Sequence, residues 1–371
     1  MLWMLYCQER VRCYDSIIVI LRKSSYRLQQ LAVLASAENY YTVLLILAWW
    51  ARMTTQKKIA DKLGLSIGLV SRALSGKAKK IGIAPETIAK VLKEAERINY
   101  IPNSAAQALK GAKTHTLGVV TYDFGDPYFG FILGELHKIA RTRKFSLILA
   151  GSYQRDTSSM DLSTFVKHNI EGLIIVGSDR KKDWLNGYID DSMPIVQIGF
   201  TEERKGANIC LDEFASTKMV AENLSGKGVK TAALFFSNSL THEVFRAAHI
   251  KMLKAHKIEI TDDFVSNGSD EAIKADICKI QKLPDVIIAA DDLIAFQVIR
   301  SLYESGISVP KDVKVIGFDN IPNARNFIPA LTTLSPPIKE MVKLAFDIVA
   351  APGTNNETIK FSPQMMNRES A

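Results

Sequence analysis

Two periods of apolar residues divide the chain. Between Thr54 and Leu109 apolar positions recur at helical spacing in three short segments; beyond residue 114 they gather into short continuous runs separated by helical stretches. Thr54 or Thr55 can cap a first helix, Gln56 to Leu63, whose Ile59, Ala60 and Leu63 share a face. Gly64 turns the chain, and Ser66 suits the N-cap of a second helix, Ile67 to Leu74, with Val70 and Leu74 inward and Ser71 and Arg72 outward. A third begins at Pro85 and runs to about Ile98, with Ile88, Val91, Leu92, Ala95 and Ile98 as its buried stripe. Two helices joined by a tight turn, the second facing outward, is a helix-turn-helix arrangement. A generic three-helix bundle is the alternative, and it leaves the flanking lysines without a purpose.

The later runs suit buried parallel strands: Leu117 to Thr121, Ser146 to Ala150, Leu173 to Val176, Ile195 to Gly199, Ala232 to Phe236, Val286 to Ala290 and Val313 to Phe318. Alternation of this kind over so long a stretch predicts an α/β body of two halves, each with a parallel sheet. Ligand clefts in such sheets lie beyond the carboxyl ends of the strands. Tyr122, Asp126, Tyr128 and Phe129 follow the first strand; Arg246, Asp291, Asp292 and Asp319 follow later ones. Aromatic faces with carboxylates and a guanidinium suit a polyhydroxylated ligand. For each carboxylate a helix N-cap is the alternative, equal to the binding reading for Asp291 and Asp292 and weaker for Asp319, and Tyr128 and Phe129 can equally be core.

Charge sharpens the first half of this picture. The chain carries a net +8, and residues 53–113 alone account for +8, with +3 before them and −3 after. Basicity confined to one small segment is expected when one face must meet phosphates. The sequence contains no nucleophile elbow, no phosphate-cradling glycine loop and no His/Cys set at metal-ligand spacing, so neither an enzyme nor a metal or other cofactor is expected. Cys7, Cys13, Cys210 and Cys278 read as reduced thiols of a cytoplasmic protein.

At the level of motifs the chain resembles the bacterial lactose/galactose repressor (LacI/GalR) regulators from Met53 onward. IADKLGLSIGLVSRALSG is similar to the family's reading-helix pattern, NYIPNSAAQALKG to its hinge, and VPKDVKVIGFDN followed by IPALTTL to its body. The resemblance implies a DNA-binding head of residues 53–100, a hinge of 101–114, and a two-lobed, periplasmic-binding-protein-like effector and dimerisation body of 115–371, with crossovers near Leu211 to Glu213, Asn320 to Asn323 and Pro336 to Glu340. It further implies a homodimer on a pseudo-palindromic double-stranded operator, released or fastened by a small effector, expected to be a sugar. The positions expected at DNA are Thr55, Ser66, Ile67, Gly68, Leu69, Ser71, Arg72, Lys77, Asn103, Ala106 and Leu109, the leucine as a minor-groove wedge. By family position Arg246, Asp291 and Asp319 are effector contacts, beside Tyr122, Asp126, Tyr128 and Phe129, and Asp292 is a helix cap.

Departures are informative. Leu69 replaces a usual threonine, and Ile67 and Gly68 offer no side-chain hydrogen bonds at the variable reading positions, which shifts direct readout onto Arg72. The loop Gly76 to Ala84 is longer than usual, and Ala84 stands where a capping serine is common. His249 occupies a position usually held by glycine, and aspartate at 291 argues against an anionic effector. Residues 1–52, an atypical extension holding three of the four tryptophans, have as their best apolar run Tyr40 to Ala51, well short of the ~20 residues that span a bilayer. Neither a membrane anchor nor a signal peptide is expected; a native start at Met53 is, with a genuine apolar appendage that docks on a partner or on the body as the alternative. The rival function is a sugar-binding transport-type protein with no DNA role, which has no use for a basic helix-turn-helix.

Overall fold

The computed structural model describes residues 55–76, 78, 81–100, 113–151, 162–178, 180, 185, 192–202, 206–350 and 357–371. The extension 1–52, Met53, Lys77 and the hinge residues Asn103, Ala106 and Leu109 lie outside the described residues. Two compact units divide between Asn103 and Ser104.

The head is built from α1 (Gln56–Leu63), α2 (Ile67–Leu74) and α3 (Pro85–Arg97). Thr55 and Ser66 cap the first two, their hydroxyls accepting from the amides of Lys58 and Leu69 at 3.3 and 3.2 Å. Gly64 adopts φ +65 at the end of α1, a conformation that costs a glycine nothing, and its amide bonds back to the carbonyl of Ala60. Ile59, Ala60, Val70, Ala73, Val91 and Ala95 form the core. Two inward assignments shift: Leu74 is only half-buried, with Ala73 taking the inner place, and Leu92 is 48% exposed, because Val91 and Ala95 already fill the narrow seam on α3. Ala84 makes no side-chain cap, as its lack of a hydroxyl requires. The loop before it is anchored instead by Ala78, buried in the head core, whose amide donates to the carbonyl of Arg72 at 3.1 Å.

The body follows as β1 (Thr116–Thr121), α4 (Pro127–Thr142), β2 (Ser146–Gly151), α5 (Ser163–Lys167), β3 (Leu173–Val176), β4 (Ile195–Ile198) and β5 (Ala207–Leu211). The chain continues through α6 (Glu213–Gly226), β6 (Thr231–Ser237), α7 (Leu240–Ala255), β7 (Glu259–Ser266), α8 (Asp270–Ile277), β8 (Val286–Ala289), α9 (Asp292–Glu304), β9 (Lys314–Phe318), α10 (Pro322–Asn326) and β10 (Thr332–Ser335). It ends with α11 (Ile338–Ala350), β11 (Thr358–Phe361) and β12 (Gln364–Met366). These strands make two six-stranded sheets, in the orders β11-β5-β4-β3-β1-β2 and β12-β10-β9-β8-β6-β7. All pairings are parallel except that of β12 with β10. The α/β class with two parallel-sheet lobes is therefore present, with one antiparallel edge.

The chain passes from the first lobe to the second after Leu211, where α6 packs on α7, and returns after Ser335, where α11 packs on α4 and β4. The segment Asn320 to Asn323 is not a crossover. It joins β9 to α10 and β10 within one sheet, and the third passage is Phe361 to Gln364, from β11 to β12. Central strands such as β1 and β3 are buried at every position, whereas β2 and β7 are edge strands, β7 alternating between exposed and half-buried. That alternation is why EITDDFVS escapes a search for continuous apolar runs.

Candidate functional site

On the head, capping and exposure define one face. Ser66 pins the start of α2, and along that helix Ile67, Gly68 and Arg72 are exposed while Leu69 and Ser71 are half-buried. Residues 67, 68, 71 and 72 fall on neighbouring helical positions, so α2 presents an apolar corner, a bare backbone and one long cation side by side. Added atoms at Gly68 would meet nothing within 4 Å. Thr55 and Ser66 already spend their hydroxyls on helix amides and offer any phosphate the helix N-termini they organise.

In the body a cavity of about 380 Å³ opens at the carboxyl ends of the strands, between the two lobes. The first lobe contributes Tyr122, Asp126, Tyr128 and Phe129 after β1, Ser178 and Arg180 after β3, and Phe200 after β4. The second contributes Thr241, His242 and Phe245 on α7, Asp291 before α9, Phe318 at the end of β9 and Asp319 after it. Close approach of the backbone shapes the floor: a Cβ on Gly199, at φ +141, would stand 2.2 Å from the carbonyl oxygen of Gly177. Six of the seven residues expected at the effector line this one space.

Arg246 is the exception. It sits on α7 one position beyond Phe245, which turns it out of the cavity, and its Nε donates to Asp263 of β7 at 2.6 Å. That bidentate pair raises the guanidinium's already high pKa. The guanidinium in the cavity is Arg180, which donates to Glu202 of its own lobe at 2.6 Å and to Glu243 of the other. Ser178 and Thr241 hydroxyls also meet across the cleft.

The carboxylates divide by role. Asp126 caps α4, accepting from the amide of Tyr128 at 2.9 Å, and Asp291 caps α9, accepting from Ile294 at 2.7 Å, yet both still line the cavity. Asp292, expected as the cap, is instead wholly buried, accepting from Thr333 Oγ1 at 2.6 Å and the Ile321 amide at 2.9 Å. Burial pushes its carboxyl up to about 7, against those two hydrogen bonds. Asp319 has φ +106, a conformation a β-carbon resists, and its amide donates to Leu334 of β10 at 2.9 Å. Tyr128 has its phenol held above the ordinary range, chiefly by burial and then by the charges of Asp319 and Asp126.

His242 carried no sequence signal. The amide of Ser237 donates to its Nδ1 at 3.3 Å, which makes that nitrogen an acceptor and leaves the proton on Nε2, 3.5 Å from Asp291 Oδ2. The space thus offers ring faces, acceptor carboxylates and one oriented imidazole donor, the complement of a ligand with several hydroxyls. Among the described residues no group of His, Cys, Asp and Glu is arranged to hold a metal ion, and no helix is long and apolar enough to cross a membrane.

Comparisons with known proteins agree with this geometry. Residues 221–371 match the model of a periplasmic binding protein-like domain. The chain is 27% identical over 335 residues to the HTH-type transcriptional repressor PurR of Serratia proteamaculans, covering 86% of this chain and 97% of that one. It is 25% identical to the HTH-type transcriptional regulator GalS of Salmonella typhimurium, covering 86% and 96%. The fold matches the crystal structure of the Lac repressor dimer bound to operator and the anti-inducer ONPF, with a TM-score of 0.72 at 20% identity over 85% of this chain and 98% of that one. With a capped helix-turn-helix ahead of a two-lobed body, the chain is similar over 86% of its length to the HTH-type transcriptional regulators PurR and GalS and shares the fold of the Lac repressor.

Proposed function

We propose that the protein is a cytoplasmic, homodimeric repressor whose two heads hold a pseudo-palindromic operator and whose grip is set by a sugar in the cleft. The observation that carries this reading is the joint presence, in one chain, of an outward Arg72 on a capped α2 and a cavity lined by Tyr122, Asp126, Asp291 and Asp319. PurR is named a repressor, and the Lac repressor structure holds operator and the anti-inducer ONPF; the same division of labour fits the two units here. Direct contacts fall to Arg72, Ser71 and the apolar corner of Ile67, with Gly68 admitting close approach of backbone to base edges. In the cleft the carboxylates accept from vicinal hydroxyls while Tyr122 and Phe129 offer ring faces to the sugar's C–H side.

The test is selection of duplexes from a random pool by the full chain, followed by a sugar panel scored for release or tightening of the selected duplex by fluorescence anisotropy. Enrichment of an inverted repeat and a response to at least one neutral sugar are expected. Sugar binding without enrichment of any duplex would favour the transport-type reading and overturn this one.

A further inference from the structure

Behind the cleft lies a second, much smaller cavity of about 10 Å³. His249, on α7, is 3% exposed and lines it, and its Nδ1 has no hydrogen-bond partner. The remaining walls are apolar side chains, among them Val220, Ile288, Ile316 and Leu334, and Phe236 meets the imidazole edge-on at 5.9 Å. A space of this size holds about one water, and a buried water needs two to four polar partners. Here the side chains supply one nitrogen, so water serves this chamber poorly.

The chamber adjoins the ligand cleft. Phe245, Ala290 and Phe318 line both spaces, and the rings of Phe245 and Phe318, 4.9 Å apart, form the partition with the Ala290 methyl. Phe245 has two side-chain torsions, and a rotamer change there would join the two spaces. A hydroxyl oxygen has the size of a water, but it arrives on a carbon that stays in the main cleft and therefore needs only one further partner. A hydroxyl also donates or accepts, matching either tautomer of a neutral imidazole, and burial holds this ring neutral, its pKa pushed down to about 3.

We propose that His249 is a specificity-determining residue of the cleft, its Nδ1 hydrogen-bonding the hydroxymethyl arm of the bound sugar. The inference rests on the sugar reading of the cleft. A position so placed discriminates sharply, since a ligand without the arm leaves a buried polar atom unmet.

The experiment is calorimetric titration of the full chain with sugar pairs that differ only in that arm: D-glucose and D-xylose, D-galactose and L-arabinose, D-allose and D-ribose. The wild type should bind the hexose of its preferred pair at least about tenfold more tightly than the pentose. His249→Leu should bring the two within about twofold by weakening the hexose alone, and His249→Gln should restore part of the difference. Unchanged discrimination in His249→Leu overturns the proposal. A second measurement needs no ligand: His249→Leu should raise the thermal midpoint of the free protein, because it removes a buried polar atom that makes no bond there. A lowered midpoint would show that the imidazole is a structural element and would overturn the proposal as well. Failure of the wild type to bind any of the six sugars, with the midpoint raised, would count against the sugar reading and not against the orphan imidazole.

Discussion

Arg180, in the loop after β3 of one lobe, donates to Glu243 on α7 of the other, so a single guanidinium spans the mouth of the cleft. Glu202 holds the same side chain from its own lobe. All three groups are substantially solvent-exposed, so the pair acts as a positional latch more than as a source of stability. Arg180→Ala should therefore leave the stability of the body nearly unchanged while widening the cleft. Solution scattering of the ligand-free protein checks this: a larger radius of gyration is expected in the variant, and wild type at high salt should shift the same way. Identical scattering profiles would show that the cleft stays shut without the latch.

Arg72 is the one long donor on the exposed face of α2. If it pairs bidentately with a guanine edge, Arg72→Ala should cost about 1 to 3 kcal/mol per half-site and relax preference at one base pair. Anisotropy titrations on operator and on unrelated duplex separate the outcomes, because equal weakening on both would make it a phosphate contact.

Gly68 lies inside α2 with open space around it. Gly68→Ala should raise the stability of the head by up to about 1 kcal/mol through helix propensity, and should weaken operator binding if the bare backbone is what approaches the bases. Thermal denaturation and operator titration of the same variant test both halves; unchanged operator affinity would assign Gly68 no part in docking.

Asp319 and Arg246 should now behave differently. Asp319→Ala should abolish the effector response while leaving effector-free operator affinity near wild type, since ligand must contact the two conformations unequally to shift them. Arg246→Ala instead leaves Asp263 without its bidentate partner, so its effect should appear in thermal stability, with the effector's affinity changed little. An Arg246 variant that keeps its midpoint and loses effector binding would return that residue to the cleft.

Two buried groups give opposing pH dependences. Asp292 has its folded pKa raised to about 7, so its contribution is fully present below about pH 4 and is lost as pH rises toward 7. His249, depressed to about 3 by burial, is penalised when it protonates, so this group leaves stability highest above about pH 6.5 and takes it away as pH falls toward 3. Each is worth on the order of 4 kcal/mol at its limit, so they largely cancel between about pH 4 and 6.5. Asp292→Asn keeps the contacts, because its amide can donate to Thr333 Oγ1, whose hydroxyl then turns to the Leu334 carbonyl at 3.4 Å. Urea midpoints across this range should fall more steeply on acidification in Asp292→Asn than in wild type. Parallel curves would mean that Asp292 titrates as an ordinary carboxylate.

Much of this was legible from sequence where the cause is local. The three head helices follow from Thr55, Ser66, Gly64 and Pro85, each acting within a few residues, and seven strands follow from continuous apolar runs, buried along nearly their whole length in all but the edge strand β2. β10 to β12 are short and interrupted by polar residues, and β7 alternates because only one of its faces is covered. The cavity residues at strand ends were legible because the sheet's direction aims them there. Arg246 was misplaced since its orientation depends on Asp263, a strand away, and Arg180 and His242 were missed because cleft membership on their segments is decided by lobe against lobe. That the cap of α9 falls on Asp291 and not on Asp292 is a matter of one residue of helix register.

The three passages between lobes also order the molecule in time. β5 has no neighbour on one side until residues 358–361 arrive as β11, and β10 has none on one side until 364–366 arrive as β12. A nascent chain emerging from the ribosome thus carries the open β5 edge from residue 211 to residue 358 and the open β10 edge from residue 335 to residue 364, and both close within a few residues of each other. Folding of the body is set to finish in a single late step, and the interval before it is when an unpaired strand edge is exposed to another chain.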